Sequence, residues 1–442
     1  FSFPQNTTMR LLSSRSVLLQ QARRYASSDS HCKLLVVGGG AGGCATAAKF
    51  AGKLKKDVVI LEPAATHYYQ PLWTMVGGGF KNFRQSGKEM GTVLPSKATW
   101  IRDKAVEFRP EENVVVTGKG QKISYDYMVV AMGIQLNYGK IEGLLPALEH
   151  DPRVCSNFSP FYVTKTYPAI QNLKEGRAIF TFPNTSVKCA GAPQKIMYIA
   201  EWRLKQAGKR DNVEVVYMTS LPVIFGVKKY AAILSGIAEE RNIKVKNRRN
   251  LISVNHEKSE ATFELLDEPG KTETLEYNLL HVTPPMSAPE VLKNCTAKGF
   301  VDQAGFLNVD QITLRHKQYS NVFGIGDCTS VPTAKTAAAV AGQVGVLAAN
   351  LKSVMKDGSP LKQYDGYTSC PLVVGYNKCI LAEFDFNLEP LETFPIDQGK
   401  PRWAYFIMKK DFMAPLYWHL LCRGFWNGPG IFRKMLHLGL SK

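Results

Sequence analysis

Short apolar runs punctuate the chain at Leu34–Val37, Val58–Leu61, Tyr127–Gly133 and Gly176–Phe182, and each predicts a strand. Between the first two, a glycine cluster opens a stretch of small residues with helical character. Thr336 to Leu351 is uncharged and rich in alanine and glycine. It falls short of the roughly 20 residues a bilayer span needs and predicts a buried helix. From Trp403 to Leu440 the pattern changes: aromatics recur at several helical spacings and basic residues interrupt them. The pattern predicts an α/β chain with a C-terminal amphipathic module that associates with a membrane.

The glycine cluster is Gly38-Gly39-Gly40-Ala-Gly42-Gly43, and Glu62 ends the next strand 19 residues after Gly43. Strand, phosphate-binding turn, helix, strand and ribose-binding acid therefore occur in the order a dinucleotide site requires. Gly38 makes the tight turn, Gly40 admits the pyrophosphate, and Gly43 lets the helix lie close, with its positive end at the diphosphate. Far along the chain, Phe323-Gly-Ile-Gly326-Asp327 is followed by Pro332-Thr-Ala-Lys335 and the small-residue helix. This resembles the second FAD signature of two-dinucleotide-domain flavoproteins, where the aspartate binds the ribityl chain, and it implies two Rossmann-like dinucleotide-binding domains, the second, a degenerate NAD-type domain, inserted into the first. Tyr127–Gly133 resembles the short strand those proteins place between the two signatures, with Met132 where threonine is more usual. The expected cofactor is FAD, and no metal is expected.

A length of 442 residues implies two or three domains, and 45% hydrophobic with 21% charged residues describes a globular chain. The expected division is a mitochondrial presequence over 1–28, FAD-binding parts over 29–150 and 296–360, a second dinucleotide-fold domain over 151–295, and a membrane-interface module over 361–442. The presequence rests on four arginines, many serines and leucines, and no acidic residue before Asp29. Even without those arginines the net charge of +18 leaves a strongly basic protein, which points to nucleic acid or an anionic membrane. No nucleic-acid motif is present. The C-terminal aromatics, with Lys409, Lys410, Arg423, Arg433 and Lys434 among them, favour helices lying in the headgroup region. The alternative is a helix pair covering a core or a dimer interface.

The middle of the chain departs from a nicotinamide enzyme. After the strand Gly176–Phe182 a second glycine fingerprint should follow, yet the loop runs Pro183-Asn-Thr-Ser-Val-Lys-Cys189-Ala-Gly-Ala-Pro193. It offers a cysteine where phosphate-binding amides belong, so electrons should reach the flavin from sulfur chemistry. Of nine cysteines, Cys189 and Cys370 each sit in a proline-containing loop. From these residues alone, a redox pair and two buried thiols are both open. Packing is the default for Cys44, Cys328 and Cys379.

Val187–Lys195, His281–Met286, Asn321–Thr329 and Tyr364–Leu372 resemble the mitochondrial sulfide:quinone oxidoreductases of animals, from about Lys33 to the C-terminus. The resemblance implies a redox-active disulfide or trisulfide between Cys189 and Cys370. Hydrogen sulfide attacks at Cys370, which becomes a persulfide, and Cys189 is left as thiolate. Sulfite, glutathione or coenzyme A then removes the sulfane sulfur, and two electrons pass through FAD to ubiquinone. Lys335 and its helix would stabilise negative charge at the reduced flavin. Tyr405, Phe406, Phe412 and Trp418 are candidates to line the quinone pocket, and Lys195 and Lys409 to polarise quinone oxygens. A headgroup contact is the other reading of Lys409. The expected location is the matrix side of the mitochondrial inner membrane, bound peripherally. Cys155 stands where bacterial relatives often use a third cysteine and is expected to be a bystander. Two competitors remain: a type II NADH:quinone oxidoreductase, which should carry the missing glycine fingerprint, and an inactive flavin-fold scaffold, which should have lost the site residues.

Overall fold

The computed structural model describes residues 29–440. The expected presequence, 1–28, lies outside the described residues. Among the described residues, the apolar runs form strands because each can be buried on both faces of a parallel sheet. Ser30–Val37 pairs in parallel with Val58–Leu61 on one side and Lys122–Val130 on the other. Thr99–Ile101 extends the sheet beyond Val58–Leu61. Val322–Gly324 adds in parallel to Lys122–Val130, with Phe323 opposite Val129. That pairing brings the two glycine signatures, distant in sequence, to strands that flank Lys122–Val130 on either side.

The strand expected over Tyr127–Gly133 begins earlier, at Lys122, and stops at Val130. The Ala131 N–H still reaches Val37 O at 2.8 Å, and Gly133 then turns the chain with φ +71°. Five parallel strands make a second sheet in the order Val154–Cys155, Leu279–His281, Gly176–Phe182, Val213–Thr219, Lys244–Asn247. The three-stranded antiparallel sheet of Arg249–Asn255, Glu260–Leu265 and Thr272–Glu276 accompanies it.

The predicted buried helix is Ala337–Val354, capped by the Thr336 side chain on the Ala339 N–H. Among the described residues it is the one helix long and apolar enough to cross a membrane. Its Val344, Leu347 and Leu351 are buried, and it packs on the helix Ala41–Leu54. A hairpin of Thr368–Gly375 and Lys378–Phe384 follows, packed on the helix Ala192–Gln206. The C-terminal segment folds into short helical pieces from Trp403 to Leu421 and a last helix, Gly430–Leu436.

The aromatics of that segment do not share one outward face. Phe406, Tyr417, Trp418 and Leu421 are buried in the fold, whereas Phe412, Phe425, Ile431 and Phe432 are exposed. Helical spacing alone cannot tell an aromatic that packs inward from one left on the surface, because two-sided pieces break at Gly424, Gly428 and Pro429.

Candidate active site

The first glycine loop is tight for specific reasons. Gly38 adopts φ +105°, and a Cβ there would strike the Ala131 carbonyl. A Cβ on Gly43 would overlap the Gly38 carbonyl, and one on Gly42 would meet Ile325 at 2.8 Å, the residue before Gly326. At Gly40 nothing lies within 4 Å of a Cβ position, so the backbone there is open to a ligand. Glu62 accepts the Gly39 N–H at 2.6 Å and the Ala64 N–H at 2.7 Å. Gly326, at φ +77°, donates its N–H to Gln343 Oε1 at 2.9 Å and presents Asp327 half-buried beside it. Burial pushes the Asp327 carboxyl up, and Lys335 and Lys188 oppose that shift. An open phosphate loop, a ribose-side acid and a second acid at the converging strand end fit a flavin dinucleotide.

Lys335 is held by the fold around it. Its Nζ donates to Thr329 O at 3.1 Å and lies 4.3 Å from the Phe306 ring centre. Its carbonyl accepts the Cys189 N–H at 2.8 Å. The second flavin signature and the cysteine loop are thus laced together through backbone.

Cys189 stands in the loop between the strand Gly176–Phe182 and the helix Ala192–Gln206, in left-handed backbone at φ 54°. Cys370 lies on the hairpin strand opposite Ala382. The fold brings their sulfurs to 3.7 Å. Gly191 permits this approach, since a Cβ there would come within 2.6 Å of the Cys370 sulfur. Lys195, in the first turn of the following helix, points back toward the helix start and donates to Cys189 Sγ at 3.2 Å.

The two thiols are pushed apart. The hydrogen bond from Cys370, and then the charges of Lys195 and Lys409, hold Cys189 well below the usual thiol range against its burial. The hydrogen bond to Cys189, burial and the charge of Cys189 hold Cys370 well above it. Burial opposes the charge on Lys195, but Cys189 and Cys370 outweigh it and raise the ammonium. Lys409 is buried, and burial together with the charge of Lys195 brings it down to about 8. Lys188, beside Cys189 in sequence, is brought to about 8 by burial against the pull of Asp327 and Cys189. This arrangement can hold one ionised sulfur next to one protonated sulfur, which thiol–disulfide exchange requires.

Lys195 was expected to face quinone oxygens; its ammonium instead sits on the Cys189 sulfur, because the first-turn position aims it there. Lys409 is not at the surface where a lipid headgroup could meet it: its Nζ donates to Pro71 O at 3.2 Å. Tyr405 and Phe406 are buried, with Phe406 against Phe80 and Tyr376, and Trp418 packs on His67 and Tyr69. Phe412 points away from them at 64% exposure. The four aromatics therefore do not form one wall.

Cys155 is buried in the second sheet with its thiol on Leu280 O at 3.8 Å. Cys328 and Cys379 are likewise buried. Cys44, expected to pack, lies in a polar cluster. The loop Tyr69–Leu72 was not anticipated. Lys188 Nζ holds Gln70 Oε1 at 2.6 Å while Lys409 holds Pro71 O. No sequence signal marks it. Gly191 could have been found, as a glycine two residues past a reactive cysteine.

Residues 32–342 match the model of the pyridine nucleotide-disulphide oxidoreductase family. The chain is 50% identical to the mitochondrial sulfide:quinone oxidoreductase of Mus musculus, over 94% of this chain and 92% of the relative. It is 42% identical to the protein of the same description in Dictyostelium discoideum, over 90% and 87%. The crystal structure of the sulfide:quinone oxidoreductase of Aquifex aeolicus superposes with a TM-score of 0.76 at 21% identity, covering 93% of this chain and 96% of that one. That likeness establishes the shared fold. Identity at half of the aligned positions, sustained across nearly the whole of both chains, places this protein in the sulfide:quinone oxidoreductase family.

Proposed function

We propose that this chain oxidises hydrogen sulfide at the Cys189–Cys370 pair and passes two electrons through FAD to ubiquinone. The observation that carries the reading is the pair itself: sulfurs 3.7 Å apart, with a buried ammonium 3.2 Å from Cys189. With the pair closed as a disulfide, or bridged by one further sulfur, hydrosulfide attacks the Cys370 sulfur in line. The sulfur–sulfur bond at Cys370 breaks and Cys370 carries a persulfide; Cys189 leaves beside Lys195 as thiolate from the disulfide, or as persulfide anion where a further sulfur bridges the pair. That direction agrees with the opposite shifts of the two thiols. A small nucleophile, sulfite, glutathione or coenzyme A, then takes the sulfane sulfur from Cys370. FAD, when bound, supplies the two-electron acceptor that lets the pair close again and the donor that reduces ubiquinone. Gly38, Gly39, Gly40, Gly42, Gly43 and Glu62 hold its diphosphate and adenosine side. Gly326, Asp327 and Lys335 hold the side nearer the sulfurs.

The second sheet serves as a nucleotide fold without a nucleotide site, carrying Cys189 over the region 151–295. Residues 29–150 and 296–360 bind FAD, and 361–442 meet the membrane and the quinone. An isoprenoid quinone is confined to the bilayer, so its pocket must open on a membrane-bound surface. Phe425 and Ile431, each 75% exposed, and the exposed Phe432 and Met435 lie in one short stretch of sequence with the exposed Arg423 and Lys434. Apolar side chains enter the headgroup boundary while the cations meet phosphates. The mitochondrial relatives and the basic N-terminal sequence support a place at the mitochondrial inner membrane, on its matrix side. Lys409 and the buried Tyr405, Phe406 and Trp418 remain the quinone-side candidates, and Phe412 belongs to the lipid face.

The test mixes purified holoenzyme anaerobically with sulfide and, separately, with NADH, following the flavin absorbance. Sulfide alone bleaches the flavin, and Cys189→Ser and Cys370→Ser each abolish this while FAD stays bound. Reduction by NADH alone, or wild-type sulfide turnover in either variant, refutes the reading.

A further inference from the structure

Arg433 does not face lipid headgroups, as its place among the C-terminal aromatics implied. In the last helix, Gly430–Leu436, it is the one buried side chain, at 1% exposure, while Ile431, Phe432, Lys434 and Met435 around it are exposed. A helix of seven residues is marginal in water by itself. What its inward side chain holds therefore matters to where the helix sits.

Arg433 Nη2 donates to Asp365 Oδ2 at 2.5 Å, and the guanidinium lies 5.5 Å from the centre of the Tyr367 ring. The other Asp365 oxygen accepts the Tyr367 N–H at 3.1 Å. Tyr367 is buried, with its hydroxyl on Glu383 Oε1 at 2.6 Å and its carbonyl accepting the Tyr364 hydroxyl at 2.5 Å. Cation, carboxylate and ring thus fix the turn Tyr364–Tyr367, from which the strand Thr368–Gly375 starts, and Cys370 is the third residue of that strand. Glu383 belongs to the opposite strand, where it pairs with Ser369 next to Cys370. Its second oxygen accepts the Thr393 N–H and the Gln398 amide, each at 2.8 Å.

The Cys189 loop is held from another side. Its N–H is anchored on the Lys335 carbonyl at 2.8 Å, and the next residue, Thr336, meets Thr368 with the two hydroxyl oxygens 2.9 Å apart. The two sulfurs, at 3.7 Å, therefore ride on elements that meet at Thr368. One element is fixed by Lys335 and Thr336, the other by Asp365 and Arg433. A misplacement of about 1 Å between reacting atoms can cost about a hundredfold in rate, so the hold on the second element bears on the chemistry of the pair.

We propose that Arg433 is a positioning residue of the sulfur site: through Asp365 and Tyr367, the last helix keeps Cys370 within bonding reach of Cys189. The inference rests on the sulfide reading for the reaction it serves, and it gives the C-terminal segment a task besides membrane contact. The outward side chains of the helix are free for lipid while its arginine sets the strand. Asp365 has 42% of its side chain exposed, so the carboxylate that Arg433→Met leaves behind stays hydrated, and the variant should fold and bind FAD.

The experiment compares wild-type holoenzyme with Arg433→Met, Arg433→Lys and the milder Asp365→Asn, each checked for FAD content and Tm. Each is equilibrated anaerobically in glutathione buffers of stepped redox ratio, quenched in acid, labelled with N-ethylmaleimide and read by peptide mass spectrometry for the Cys189–Cys370 disulfide. A loosened strand lowers the effective concentration of one thiol at the other. The Arg433→Met disulfide should therefore be at least tenfold easier to reduce, a rise of about 30 mV. Its limiting rate of flavin reduction by sulfide should fall at least tenfold, with half-saturation unchanged. Arg433→Lys, which keeps a cation for Asp365, should recover most of both, and Asp365→Asn should lie between. An ion pair that only stabilises the helix would lower Tm and leave the thiol equilibrium in place. That result in Arg433→Met, or in Asp365→Asn where the first variant does not fold, overturns the inference, and so does Arg433→Lys behaving as Arg433→Met. A wild-type pair that forms no disulfide at any ratio overturns the sulfide reading together with this one, whereas a wild-type disulfide that neither substitution shifts overturns this one alone.

Discussion

Lys195→Met removes a buried ammonium 3.2 Å from the Cys189 sulfur and keeps most of the side-chain volume. If that ammonium holds the thiolate that leaves when hydrosulfide attacks Cys370, its loss is felt in the transition state, where the charge develops. A hydrogen bond to a charged partner contributes about 1.5–3 kcal/mol. At about 1.4 kcal/mol per factor of ten, sulfide-driven flavin reduction should slow by about 10- to 150-fold. Lys409 sets the lower end of that range: released from the repulsion of Lys195, it gains charge and compensates in part. The sign of the pH effect is also fixed. Lys195 helps hold Cys189 below the ordinary thiol range, so without it protonation begins at higher pH. The variant's rate should fall off at higher pH than the wild type's and recover as pH rises. The assay is anaerobic stopped-flow of the FAD-loaded variant with sulfide across pH, with Lys195→Arg as the variant that restores charge. Without its cation Cys189 can take up a proton and so avoid standing as a buried unpaired charge, so Tm should not fall in step with the rate. A Lys195→Met protein that binds FAD and is reduced at the wild-type rate across pH would refute the electrostatic role.

Gly191→Ala places a methyl within 2.6 Å of the Cys370 sulfur, so sulfide reduction should be lost while FAD absorbance is retained; retained sulfide bleaching would show that the close approach is not needed. Glu62→Gln weakens the charged acceptor of the Gly39 and Ala64 N–H groups, and should cost roughly tenfold in FAD affinity by fluorescence titration of the apoprotein. Unchanged affinity would remove Glu62 from the cofactor site. Phe425→Glu with Ile431→Glu removes two exposed apolar side chains, each contributing up to about 1.5–3 kcal/mol when buried, so binding to anionic vesicles should fall by at least about a hundredfold. Vesicle binding at the wild-type level would locate the membrane surface elsewhere.

How far the sequence speaks for the fold depends on how local each signal is. The first flavin signature was readable because turn, helix and acid are contiguous, and Val58–Leu61 and Gly176–Phe182 form strands at the positions their apolar runs imply. The small-residue helix was readable too, since an uncharged run of that length has to be buried or in lipid. The C-terminal segment was not. Tyr417 and Trp418 resemble interface aromatics in composition, yet both pack inward on Tyr69, a contact with a loop hundreds of residues earlier. Whether an aromatic faces core or lipid is a property of that distant partner, and periodicity carries no trace of it.

The sulfur site divides along the same line. Cys189 and Cys370 could be singled out, because a cysteine in the place of a glycine fingerprint contradicts the chemistry the surrounding fold leads one to expect. Their environment could not. Lys195 belongs to Cys189 only because the helix begins at Ala192 and throws its first-turn side chain back toward the loop. Lys409 reaches the same neighbourhood through Pro71, and Lys188 through Gln70. These three cations come from separate places in the chain, and none lies in a motif that demands a cation.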